Sequence, residues 1–365
     1  MNWQHATIVA ERKRWGEAAE FDARLPGGRL VRALAYLPQV GDPQVGDEVL
    51  VATAAHDRGL GTGGFVMIIA VPGRLPVAPS GPGHVVKARY TPMQYMVLGV
   101  DEQESPYHPL LREADSIDGM PVIAADLHSA LPAIIAGIHA GRPDARIAYV
   151  MTDGGALPAW FSQTAHALRE AGHILGTISA GQAYGGELEA VNIHTALLAA
   201  RLVWQADVAV VTQGPGNLGT DTRWGFSGTS IGEALNAAHV LGGRPVAALR
   251  ASQADPRERH IGISHHSLTV LTNVVHVPCA VVVPTVTLPD DVAARLASQV
   301  AALKRDHLEL VPYPAEHLDA ALRTPPAPLR TMGRTYEEDR LSFLAAAAAG
   351  EYATRLLPGS AATGE

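Results

Sequence analysis

Four loops along this chain carry residue types that do chemistry. The first, Ala125-Asp-Leu-His-Ser129, sets Asp126 and His128 two positions apart. If the backbone stays extended, both side chains share one side, which suits joint metal ligation or an acid–imidazole pair. If it turns into a helix, Asp126 or Ser129 is an N-cap and accepts backbone N–H bonds only. The second loop, Asp153-Gly-Gly155, can hold a hydroxyl or a cation beside backbone amides, and it is equally ordinary turn chemistry.

The third loop, Gly214-Pro-Gly-Asn-Leu-Gly219, is formally a G-x-G-x-x-G and is followed by Arg223. As an anion-binding loop its set is Gly214, Gly216, Asn217, Gly219 and Arg223, with glycines letting backbone N–H groups approach a phosphate. As a glycine-rich left-handed turn it binds nothing. A dinucleotide site fits poorly: Pro215 removes a donor, the next helix starts only near Ser227, and the next strand ends in Arg250 where an acid should meet a ribose hydroxyl. The fourth loop, Gly262-Ile-Ser-His-His-Ser267, follows Arg257, Arg259 and His260. Either His265 or His266 can serve as general base, metal ligand or phosphate donor, and adjacent helix residues point about 100° apart, so one of the two is expected to face a cleft.

These loops need elements to position them. Up to about residue 100 the chain shows short β-type runs (6–12, 18–24, 29–37, 48–53, 64–71 and 84–89) broken by Gly, Pro and Asp. Six short strands must hide their edges, so a small antiparallel β-barrel-like domain is expected over 1–100. The loop Gly59-Leu-Gly-Thr-Gly-Gly64 joins two of its strands. A polar stretch with Pro106 and Pro109 reads as a linker over 101–119.

Beyond it, apolar runs at 122–125, 146–152, 174–179, 206–212, 245–249 and 280–283 alternate with helix-length segments, and a strand at 308–311 with a helix at 336–349 is a further pair. That alternation predicts a Rossmann-like parallel-sheet α/β domain over 120–350, with 351–365 as a flexible tail. In such sheets ligands sit beyond the carboxyl ends of the strands, where all four loops fall.

With 365 residues, 47% hydrophobic and 18% charged, the chain has apolar surface for about two cores. A net charge of −8 argues against a general nucleic-acid binder, which needs a basic face. Cys279, the single cysteine, lies in an apolar run and reads as an inert buried thiol. With no signal peptide at Met1-Asn-Trp-Gln-His5 and no apolar run of about 20 residues, a cytoplasmic location without membrane partners is expected. The chain lacks a G-x-S-x-G elbow, H-E-x-x-H and a Walker loop, which removes the usual serine hydrolase, zincin and P-loop assignments.

Gly59 to Gly64, Ala125 to Ser129, Val150-Met-Thr-Asp-Gly-Gly155, Gln213 to Gly219 with Arg223-Trp-Gly-Phe-Ser227, and Gly262 to Ser267 together resemble an uncharacterised bacterial family, domain of unknown function 3866. The resemblance runs from about Ala6 to Pro284 and implies no assigned activity. From the residues themselves, the leading expectation is an enzyme for a small anionic or hydroxylated metabolite. Asp126, His128, Asp153, His265 and His266 would carry acid–base or metal-ligand chemistry, and Gly214 to Gly219 with Arg223 would hold the anion. The cofactor is unknown, a divalent metal being compatible. A non-catalytic small-molecule binder and a structural protein whose glycines serve turns and a homo-oligomer interface are the alternatives.

Overall fold

The computed structural model describes residues 2–77 and 81–359. The chain divides into two compact units, Met1–Pro82 with Val86–Met96, and Gly83–Val85 with Val97–Glu365.

In the first unit, strands β1 (Trp3–Trp15), β2 (Ala18–Arg24), β3 (Leu30–Tyr36), β4 (Glu48–Ala52) and β5 (Val66–Ala70) close in the order β1-β2-β3-β5-β4. The interior is read directly from alternate positions: Ala6 and Ile8, Ala19, Phe21 and Ala23, Val31, Ala33 and Ala35, Val49 and Val51, Val66 and Ile68 form one core. The many alanines let five strands close tightly around Phe21, which is fully buried. Two expectations are corrected. The β3–β5 seam is parallel, pairing Ala33 with Val66 and Leu34 with Met67, so the barrel is not wholly antiparallel. Of the sixth expected strand, only Val85–Lys87 is extended, and it lies outside the barrel.

The second unit is built on eight parallel strands: β6 (Pro121–Ala125), β7 (Ile147–Thr152), β8 (Thr177–Ala180), β9 (Leu188–Ala190), β10 (Val208–Gln213), β11 (Arg244–Ala248), β12 (Cys279–Thr285) and β13 (Leu308–Pro314). Their order is β9-β8-β7-β10-β6-β11-β12-β13. Helices α1 (Leu131–Gly141), α2 (Gln163–Glu170) and α7 (Arg340–Arg355) cover one face, and α3 (Ile193–Leu198), α4 (Ser230–Val240), α5 (His265–Asn273) and α6 (Asp290–Ala302) the other. The central strands feed both layers. In β10, Val208 and Val210 pack with α1 and α7, while Ala209 and Val211 pack with α3 and α4. Continuous apolar runs are what a sheet covered on both faces requires.

Residues 101–119 are not a free linker, because Leu111 and Ile117 are buried in this unit's core and the Ile117 N–H donates to Leu241 O at 2.8 Å. The proline and polar composition masked those anchors. The expected tail begins too early as well: α7 runs to Arg355 with Ala353 and Thr354 buried, and residues 360–365 lie outside the described part. Among the described residues no helix is long and apolar enough to cross a membrane.

Strand order fixes which loops meet. The chain enters at β6, runs out through β7 to β9, then returns to insert β10 between β7 and β6 before continuing with β11 on the far side. The carboxyl end of β6 is therefore flanked by the ends of β10 and β11. That reversal of direction is where a parallel sheet opens a crevice.

Candidate functional site

Asp126 is the first residue beyond β6 and is nearly buried. An isolated carboxylate there would be costly, so partners must come to it. Arg250, two residues beyond β11, donates from Nη1 to Oδ2 at 2.8 Å, and His266 Nδ1 lies 3.0 Å from the same oxygen. From the β10 end, Asn217 Nδ2 donates to Oδ1 at 3.1 Å, and Gln213 Nε2 donates to the Asp126 carbonyl at 2.8 Å. A Cβ at Gly228 would collide with Oδ1, so only glycine lets α4's lead-in approach the carboxylate. Burial pushes the Asp126 carboxyl upward, but the His266 bond and the Arg250 charge outweigh it and hold the group below the usual carboxylate range.

His266 Nδ1 is also 2.9 Å from Arg250 Nη1, and one nitrogen cannot both donate and accept with a single proton. The carboxylate is acceptor-only and charged, so an Nδ1 proton is directed at Asp126, and Nε2 is the ring nitrogen that no hydrogen bond engages among the described residues. Phe226 stacks on the imidazole at 3.9 Å between centroids and 5° between planes, fixing its orientation. The Arg250 side chain is only 8% exposed and that of Asp126 7%. An ion pair so buried is weak evidence for stability.

Over this floor opens a cleft of about 470 Å³, bordered by Asn217, Gly219 and Thr220 from the glycine loop, Arg250, Arg257 and Arg259, and Met332. Two water-sized crevices of about 20 Å³ adjoin Asp126. His260, His265 and His266 complete the cleft wall, with ring centroids 4.4 Å apart for the last two and 5.1 and 5.2 Å from His260 to each. Ser264 builds the corner: its Oγ caps α5 by accepting the His266 N–H at 3.2 Å and lies 2.7 Å from His260 Nδ1. Ser267 Oγ accepts the Arg250 N–H at 3.0 Å, so the Ser-His-His-Ser run clamps the β11 loop.

Burial, followed by the nearby arginine charges, lowers His260 to about 3; burial, then His266 and the arginines, lowers His265 to about 4. Both rings are neutral at physiological pH, with a lone pair to offer. Each arginine has a carboxylate. Arg257 binds Asp255 through Nε at 2.9 Å and Nη2 at 3.0 Å, which leaves Nη1 over; Arg259 meets the exposed Asp221 at 2.6 Å. Arg334 bridges Asp255 at 3.1 Å and Asp339 at 3.0 Å, holding the Asp255 carboxylate that holds Arg257.

The structure brings together only part of the expected set. Asp126, His265 and His266 converge, and both histidines reach the cleft because it wraps around the first turn of α5. His128 does not join them: a 3-10 turn, His128–Ala130, starts at once and ends the extended geometry on which the shared side depended. Its Nδ1 lies 2.9 Å from Tyr149 OH and its Nε2 2.7 Å from Ser162 Oγ, deep in a polar network, and burial lowers it to about 4. Asp153 is exposed and accepts the Gln182 N–H at 2.8 Å, tying the β7 and β8 loops.

Gly214 is a packing residue, since a Cβ there would strike Ala156 O, and Gly216 sits at φ +95°, a left-handed turn position. Gly219 borders the cleft, and Asn217 serves Asp126 rather than an anion. Arg223 lies on the exposed 218–224 stretch, donates to Asn273 Oδ1 at 3.3 Å, and does not line the cleft. The cationic wall comes instead from Arg250, Arg257 and Arg259. Of these, Arg250 was signalled by standing where a dinucleotide site has its acid; Asp255, Arg334 and Met332 carried no signal. Burial pushes the Cys279 thiol up to about 12, so it is inert as expected.

A family model described as "Protein of unknown function (DUF3866)" matches residues 32–350. The chain belongs to this family. The match extends well past residue 284, where the motif resemblance stopped, and takes in every residue of the cleft. No curated protein and no solved structure matches the chain. The family description names no activity, so the chemistry rests on the cleft.

Proposed function

We propose that the protein is a cytoplasmic enzyme acting on a small anionic metabolite held in the cleft at the carboxyl edge of the parallel sheet. One observation carries this reading: a buried carboxylate, Asp126, lies 3.0 Å from Nδ1 of His266, and that imidazole lines a concave site walled by three guanidinium groups. A volume of about 470 Å³ suits a small molecule. The ligand's oxygens meet Arg257 Nη1 and Arg259, whose exposed pairing with Asp221 is weak and readily exchanged for a substrate anion. Thr220 supplies a neutral polar contact, and Met332 a patch for an apolar part.

A non-catalytic binding protein is the second reading, favoured by the fact that every cleft arginine already has a carboxylate partner. The two separate on one comparison, since a binder keeps its ligand when His266 becomes Gln while an enzyme keeps the ligand and loses turnover. The test of the shared premise is calorimetry and thermal unfolding with inorganic phosphate, pyrophosphate and small carboxylates. Saturating anion at a hundredfold over Kd adds about 2.7 kcal/mol of stability, and Arg257→Ala or Arg259→Ala removes that gain. If none of these anions binds, or both arginine variants bind them unchanged, the reading fails.

A further inference from the structure

We propose that His260, His265 and His266 form a binding site for one divalent transition metal ion of the zinc type, with Asp126 behind His266 and an open coordination position facing the cleft. The proposal builds on the cleft reading above and says what the exposed lone pairs are for.

The three rings each offer a nitrogen, and these atoms lie within 4.8 Å of one another. A triangle of that edge has its centre about 2.8 Å from each corner, so closing on Zn–N distances of about 2.0–2.1 Å moves each ring by less than about 1 Å. The hydrogen bonds already select the free nitrogens. His266 Nδ1 is committed to Asp126 and His260 Nδ1 to Ser264 Oγ, which leaves Nε2 on both, while no hydrogen bond engages the His265 ring among the described residues. A carboxylate holding the far nitrogen of a ligating histidine is the support metal-bound imidazoles ordinarily have. Neutral nitrogen donors select borderline ions such as Zn²⁺ and Co²⁺ over Mg²⁺ or Ca²⁺, which want oxygen. Three protein ligands leave the fourth position to water or a substrate oxygen.

Arg250, Arg257 and Arg259 oppose a cation in this place. The proposal therefore carries a specific consequence: metal and anion bind cooperatively, because an anionic fourth ligand offsets the guanidinium charges. A second cluster, His84 with Glu102 and Glu104, also has metal spacing, but its carboxylates accept the backbone N–H groups of Gly83 and His84 and serve the loop.

The experiment is titration of the metal-stripped full-length chain with Zn²⁺ by calorimetry and with Co²⁺ by visible absorption. The expected result is one ion per chain with a tetrahedral Co²⁺ spectrum, binding weakened at least a hundredfold in His265→Ala and tenfold to a hundredfold in Asp126→Asn, and tightened by inorganic phosphate. His265 is the half-buried member at the helix start, so its variant keeps the fold, which far-UV circular dichroism checks. No binding, binding undiminished in His265→Ala, or loss in His84→Ala instead overturns the site. Phosphate binding that needs no metal and ignores His265→Ala leaves the anion reading standing without the metal; metal binding indifferent to every anion does the reverse.

Discussion

Asp126 and His128 stand two residues apart, yet they belong to opposite kinds of polar structure. His128 sits in a closed chain: Ser162 Oγ, the imidazole, Tyr149 OH and Thr212 Oγ1 follow one another at 2.7, 2.9 and 2.9 Å, all neutral. Asp126 gathers a charged set whose outer member, His266, opens into the cleft. The two touch at Thr212 and Gln213, neighbours in β10, so position at the sheet edge does not separate them. What separates them is completion. In the first every ring nitrogen is used inside the protein, whereas in the second His266 lines the cleft with Nε2 unengaged among the described residues, beside a buried ion pair. A buried polar network that closes on itself specifies packing, and one that stops at a cavity wall is the candidate for chemistry.

The largest expected effect breaks the open network at its centre. Asp126→Ala strands the Arg250 charge in a buried position and lowers unfolding free energy by about 3–5 kcal/mol, measurable by urea denaturation; a midpoint unchanged from the parent would mean that Arg250 finds water or another partner. Next comes the closed network. His128→Gln is expected to lose about 1–3 kcal/mol through unpaired hydroxyls while anion affinity in the cleft stays the same, so a changed affinity would show the two networks are coupled.

The same variant tests the acid limb of stability. The unfolded chain protonates this imidazole near its ordinary value of about 6.5, the folded chain only near 4. Between those values the unfolded state binds more protons, so stability declines as pH falls from about 6.5 toward 4 and is indifferent to this group above that range. Denaturation midpoints across that window should decline less steeply in His128→Gln, and identical slopes would place the proton elsewhere. The smallest effect is Arg223→Ala, within about 0.5 kcal/mol and without influence on ligand binding, although the sequence puts Arg223 beside the glycine loop; thermal unfolding and calorimetry would settle it.

Much of the frame was legible in the chain. Period-two burial in β1 to β5 and continuous apolar runs in β6, β7 and β10 follow from how many faces a strand must bury, which local sequence records. That Asp126, His265 and His266 come together was anticipated from their position at strand-end loops, a signal that His128 and Asp153 share while serving local structure instead. What local sequence does not record is strand order. Nothing near Ile147 or Val208 says that β10 inserts between β7 and β6, yet that insertion brings Asn217 to Asp126 and leaves Asp153 with the neighbouring loops, while the pairing of β11 on the other side of β6 brings Arg250. The parallel β3–β5 seam was hidden for the same reason. His128 misled because extended geometry was carried one residue too far, and Arg223 because nearness along the chain stood in for nearness in space.

Asp126 precedes Arg250 by 124 residues and His266 by 140. Such long-range pairs form only after the intervening loops have closed, which makes them slow compared with local contacts. During synthesis, β6 emerges well before the segment that neutralises its terminal acid. The carboxylate must stay hydrated until α5 arrives, so the ion pair at the cleft floor cannot form before more than a hundred further residues have been made.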